Sequence, residues 1–100
     1  MPTSGSARTG TRRNWTFLTN HAAVLVSIHR NPGVRIDEVA TTVGISRRAA
    51  QMIVTDLADA GYIERTRIGR RNSYRVHRDM PLRRKEFVDS DVGALLTLLR

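Results

Sequence analysis

Within "VATTVGISRRAAQMI", Val39 to Ile53, a small residue, a glycine and a serine fall at positions 40, 44 and 46, and two arginines follow the serine directly. This spacing limits the possible folds more than any other feature of the chain. Gly44 at the end of an apolar-periodic run supplies the positive φ of a tight turn, and Ala40 lets two helix backbones approach closely. Ser46 is a favoured N-cap, because its side-chain oxygen accepts from a backbone N–H that has no partner inside the helix. Around these three the enclosed positions must be apolar, and Val39, Val43, Ile45, Ala50 and Ile53 comply. Two helices joined by a short turn and packed at a steep angle meet all of these requirements, which together describe a helix-turn-helix.

The flanking segments extend this unit. "NWTFLTNHAAVLVSIHRNPG" carries apolar residues at Phe17, Leu18, Val24, Leu25 and Ile28. It predicts a first helix with Thr19 or Asn20 as cap and Asn31-Pro32-Gly33 as stop. "VRI" reads as one short strand, followed by a second helix from Asp37 to Val43 that Gly44 ends. The third helix runs from Ser46 to about Ala60, with Ala50, Ile53, Val54 and Leu57 as its apolar stripe and Gly61 as its stop. "YIERTRI" and "SYRVHR" read as strands flanking the basic loop "GRRN", an antiparallel hairpin. Pro81 breaks the pattern, after which Asp89 or Ser90 caps a last amphipathic helix with Val92, Leu95, Leu96 and Leu99 on one face.

One hundred residues make one small domain. The formal charge of +8 is unevenly spread: residues 1–14 contribute +3 through Arg8, Arg12 and Arg13, and residues 62–78 contribute +5, while the blocks 15–61 and 79–100 each sum to zero. A basic excess confined to a tail and one short segment points to a polyanionic partner, nucleic acid above all. The chain has no cysteine, which excludes thiolate metal sites and cysteine nucleophiles and fits a reducing, cytoplasmic setting. No apolar run approaches the length of a membrane span, and residues 1–14 lack the apolar segment of a signal peptide. His21, His29 and His77 have no metal-ligand spacing, and no nucleophile motif or phosphate-binding glycine loop is present, so neither a metal, a cofactor nor an enzymatic activity is expected.

"RIDEVATTVGISRRAAQMIVTDLADAGYIERTRIGRRNSYRV", Arg35 to Val76, with its "NWTFLTNHAAVL" lead-in, resembles the winged helix-turn-helix regulators of the MarR-like type in their small actinobacterial style. The resemblance implies a mainly α fold with a small β-hairpin: a three-helix core, a wing, and here a C-terminal amphipathic helix. It also implies that the third helix enters the DNA major groove and that the wing grips the flanking backbone. The chain departs from the family in being short, in lacking long paired terminal helices and in offering no evident effector pocket. The resulting division is a flexible basic arm over residues 1–14, a DNA-binding domain over 15–80 with recognition helix 46–60 and wing 62–78, and a C-terminal helix over 81–100.

Helical geometry then names the reading residues. With Ala50, Ile53, Val54 and Leu57 facing inward, Arg48, Gln51, Met52 and Thr55 point outward. Arginine pairs with guanine O6 and N7, glutamine with adenine, and the Met and Thr methyls suit the thymine methyl. Ser46 and Arg47 lie where free N–H groups favour a phosphate. In the hairpin, Arg65 and Arg67 are expected on a basic face while Ile63, Tyr74 and Val76 pack inward from the other, and Arg70, Arg71 and Asn72 belong to the tip. If about six to eight phosphates are neutralised per dimer, log K against log salt has a slope of about −5 to −7. The apolar C-terminal helix either folds back onto the core or pairs with a second copy; the second case predicts a homodimer whose seam holds Val92, Leu95, Leu96 and Leu99 with Trp15 and Phe17. The rival readings are a protein-docking winged helix and a binder of structured RNA.

Overall fold

The computed structural model describes residues 15–100. The basic arm expected over residues 1–14 lies outside the described residues.

Helix α1, Asn20–Arg30, starts where the Thr19 hydroxyl accepts from Ala22 N, and it closes with Asn31 N donating to Ser27 O. Its buried side is Val24, Leu25 and Ile28. Helix α2, Ile36–Val43, opens with the Glu38 carboxylate accepting from Arg35 N at 2.9 Å, so an acidic side chain in the first turn reaches back to an otherwise orphan donor. Gly44 ends it in the left-handed region at φ 83, and the Gly44 and Ile45 N–H groups both donate to Ala40 O. Helix α3, Arg47–Asp59, begins with Ser46 Oγ accepting from Ala49 N at 3.0 Å, a cap that contributes about 1 kcal/mol. The turn chemistry that makes the sequence legible therefore operates as expected at both ends of the helix-turn-helix.

Gly61, at φ 86, turns the chain from α3 into the hairpin of β1, Ile63–Ile68, and β2, Arg71–Val76. The strands are antiparallel and pair from Ile63 with Val76 to Ile68 with Arg71. The connection is therefore only Gly69-Arg70, with Gly69 at φ 63 in its first position, the pattern of a type II′ turn. A short 3-10 turn, Lys85–Phe87, precedes helix α4, Val92–Leu98.

Two local expectations are corrected. The "VRI" strand does not form: Ile36 is already the first residue of α2, and the sheet has two strands among the described residues. The residues just before it are tied to β2 instead, by Tyr74 N donating to Pro32 O at 2.9 Å and the Arg71 guanidinium to Gly33 O. The last helix is capped by Asp91, whose carboxylate accepts from Ala94 N at 3.0 Å, rather than by Asp89 or Ser90. Those two are absorbed in the preceding turn, where Ser90 N donates to Phe87 O.

One core joins all these elements. It takes Val24, Leu25 and Ile28 from α1, Val39 and Ala40 from α2, Ala50, Ile53, Val54 and Leu57 from α3, Tyr62, Ile63 and Tyr74 around the hairpin, and Val92 and Leu96 from α4. Gly93 lets α4 come close to the end of the hairpin, with its N–H donating to Arg78 O at 2.8 Å. The Arg78 guanidinium returns the contact to Gly93 O at 2.8 Å and also bonds the Thr97 hydroxyl. No helix among the described residues is long and apolar enough to cross a membrane.

Candidate nucleic-acid interface

The packing of α3 leaves one of its sides open. Ala50, Ile53, Val54 and Leu57 are buried, whereas Arg48, Gln51, Met52 and Thr55, spaced at i, i+3, i+4 and i+7, are exposed, Met52 at 61%. An exposed methionine beside an arginine and a glutamine is a poor surface for solubility alone and a good one for touching base edges and a thymine methyl. A helix of this length extends about 20 Å and has the girth that the major groove admits.

At the start of α3, Ser46 Oγ accepts from Ala49 N, which leaves the Arg47 and Arg48 N–H groups without a partner inside the helix. Arg47 does not extend freely into solvent. Its Nε lies 2.8 Å from Asp37 Oδ1 at the start of α2, with both side chains about three-quarters exposed, so the pair orients Arg47 more than it stabilises the fold.

The wing differs from expectation in two respects. Ile63, Arg65 and Arg67 are two residues apart and so share a face, and cross-strand pairing puts Val76, Tyr74 and Asn72 on that same face. The basic and the packed residues are thus on one side of the ribbon: Ile63 and Tyr74 lie over the core, and the hairpin runs past it, leaving Arg65 and Arg67 exposed. In addition, Arg71 and Asn72 belong to β2 and not to the tip. The Arg71 guanidinium folds back to donate to Gly33 O at 3.1 Å, and Arg70 alone occupies the tip with Gly69. Arg67 Nε donates to Gly69 O at 3.3 Å, which draws it toward the turn.

The residues expected at a dimer seam divide. Val92 and Leu96 are 5% and 1% exposed and belong to the subunit's own core, so they have no surface left to give a partner. Leu95 and Leu99 are half-buried, while Trp15 and Phe17 stand open, packed edge to face on each other with ring centroids 5.2 Å apart.

Two recesses flank α3. The smaller, of about 450 Å³, lies between the α1–α2 connection, the start of α3 and the wing, and it is lined by Arg35, Asp37, Arg47, Arg70 and Arg71 among others. Arg35, the N-cap of α2, is the functional candidate that sequence pattern misses, since it lies ahead of the turn and the outward face of α3 and meets the wing only through the fold. The larger recess, open and of about 850 Å³, lies between α1, the C-terminal half of α3 and α4, with Leu25, Leu57, Tyr62, Leu82 and Leu95 among its lining. His21 Nε2 and Asp56 Oδ2 meet beside it at 2.8 Å, which gives His21 a surface role linking α1 to α3. On its other side Arg84 holds the Glu86 carboxyl below the usual carboxylate range through a side-chain hydrogen bond. Among the described residues no group of three or more His, Cys, Asp or Glu side chains gathers where it could hold a metal.

A model of the MarR family matches residues 16–70. No curated protein matches the chain. Among solved structures, the PcaV transcriptional regulator from Streptomyces coelicolor, in complex with its natural ligand, is similar at 27% identity and a TM-score of 0.52, over 60% of this chain and 45% of that one. The chain thus spans just under half the length of that protein.

Proposed function

The chain belongs to the MarR family of winged helix-turn-helix transcriptional regulators, and from that premise we propose that it binds double-stranded DNA with α3 in the major groove. The observation that carries this reading is the exposed stripe of Arg48, Gln51, Met52 and Thr55 on a helix whose opposite side is wholly buried. Arg48 and Gln51 supply the bidentate base contacts, Met52 and Thr55 the apolar ones, and Ser46 and Arg47 fix the register on phosphate. Arg65, Arg67 and Arg70 follow the flanking backbone or minor groove, with Arg71 and Asn72 bracing the wing beside them. The family is one of regulators and not of enzymes, and the protein acts by occupying an operator in the cytoplasm.

The regulator works as a symmetric homodimer. Its seam draws on Trp15 and Phe17, the latter 92% exposed, and on the outer edge of α4 at Leu95 and Leu99. Large open aromatic side chains in a domain this small favour such a partner. A twofold protein reads inverted half-sites about one helical turn apart. Selection from random duplexes tests function and symmetry together: an enriched inverted repeat is the expected result, and a pool that remains random after repeated rounds refutes the proposal.

A further inference from the structure

The recess between the wing and the start of α3 concentrates charge of one sign. Four arginines, at 35, 47, 70 and 71, line it against one carboxylate, Asp37, a local excess of +3. Among the described residues, neither Arg35 nor Arg70 has a carboxylate within salt-bridge distance, and Asp37 is engaged by Arg47 at 2.8 Å. Arg71 is already anchored on Gly33 O at 3.1 Å, so its remaining donors are held in place without cost when an anion arrives. Cations gathered in a concave, protein-walled space repel one another and focus the field on whatever enters. The guanidinium forks suit the paired oxygens of a phosphate.

We propose that this recess seats one backbone phosphate of the bound duplex, with Arg35 as a direct contact and Asp37 as an internal competitor that weakens the seat. The proposal rests on the DNA-binding reading above and adds a residue outside the recognition helix and wing. The α1–α2 connection then becomes a third point of purchase on the duplex, beside α3 and the hairpin tip. Asp37 has a double effect: it orients Arg47 through their ion pair, and it sets a negative charge beside the incoming phosphate. The seat is therefore built below its full strength, which keeps sequence-independent affinity down relative to base reading.

The test is fluorescence anisotropy with a labelled mixed-sequence duplex of about 30 base pairs over a range of salt concentrations. Arg35→Gln is expected to weaken binding about fivefold near 100 mM salt and to make the log–log salt slope shallower by about 0.9 for each subunit bound. Arg70→Gln behaves similarly, and Asp37→Asn tightens binding about twofold. Lys85→Gln, the same charge change outside the recess, leaves affinity and slope nearly unchanged. The Arg35 side chain makes no cap hydrogen bond, so its variant retains the fold, which circular dichroism verifies. An Arg35→Gln protein indistinguishable from Lys85→Gln, with the wild type still showing salt-dependent binding, overturns the seat while leaving the DNA reading intact. A wild type that ignores duplex even in dilute salt overturns both.

Discussion

Leu96→Ala decides whether α4 belongs to the subunit or to a partner. Leu96 is 1% exposed within a core that also holds Val92 from the same helix and residues of α1 and α3. Truncating a buried leucine costs about 2–5 kcal/mol, the spread reflecting how far the surroundings collapse into the space left. Helix α4 is only seven residues long and is open to solvent at Ala94, Thr97 and Leu98, so it can settle inward and the lower half of that range applies, about 2–3 kcal/mol. For a domain of this size each kcal/mol lowers the melting midpoint by about 4–8 °C, which gives a fall of roughly 8–24 °C. Urea unfolding followed by far-ultraviolet circular dichroism measures the loss directly, and sedimentation reports the mass of the folded variant. Leu98→Ala, at a residue 80% exposed, is the control and should change stability by less than about 0.5 kcal/mol. The core assignment predicts a large loss of stability with the oligomeric mass of the wild type retained. A Leu96→Ala protein of undiminished stability that sediments at lower mass would show the side chain to belong to a seam and not to the subunit's core.

Gly93→Ala should destabilise although alanine is the better helix former: a Cβ there meets Arg78 O at 2.8 Å, and the Gly93 N–H bond to that same oxygen prevents α4 from backing away. Overpacking of this kind costs about 1–3 kcal/mol, against a helix-propensity gain of about 1 kcal/mol, so a net drop in melting midpoint is expected in a thermal scan. Arg48→Ala should weaken binding to the selected operator and relax preference at one base position, whereas Arg70→Ala should weaken binding about equally at every sequence; anisotropy against a panel of single-base operator variants separates the two.

The helix-turn-helix was legible because its signals are local. Gly44 at positive φ, the Ser46 cap and the stripe ending at Leu57 each depend on residues within one or two turns. Expectations that depended on tertiary partners fared less well. "VRI" has strand-forming composition, but its residues feed directly into α2, and the hairpin bonds only the preceding Pro32 and Gly33 carbonyls in place of a ladder. In "DSD" three side chains could have capped α4, and only the geometry of the preceding turn singles out Asp91. The apolar face of α4 reads identically whether it is covered by its own subunit or by another, so periodicity alone did not separate Val92 and Leu96 from a dimer seam. The side of the ribbon that carries Arg65 and Arg67 was open to parity counting, since Ile63 lies two residues earlier; what counting could not reveal is that the hairpin outruns the core. Arg35 escaped because its neighbours in space, Arg70 and Arg71, are far along the chain.

The open side of α3 is the surface proposed to meet DNA. Nuclear magnetic resonance of the isotopically labelled protein, titrated with duplex in dilute salt, tests it residue by residue. Perturbed amide and side-chain signals are expected to gather at Ser46, Arg48, Gln51, Met52 and Thr55 and along the wing from Arg65 to Asn72, while Val92 to Leu98 remain still. Perturbations gathered instead around α4 and the Pro81–Arg84 segment, with the α3 stripe unmoved, would contradict it.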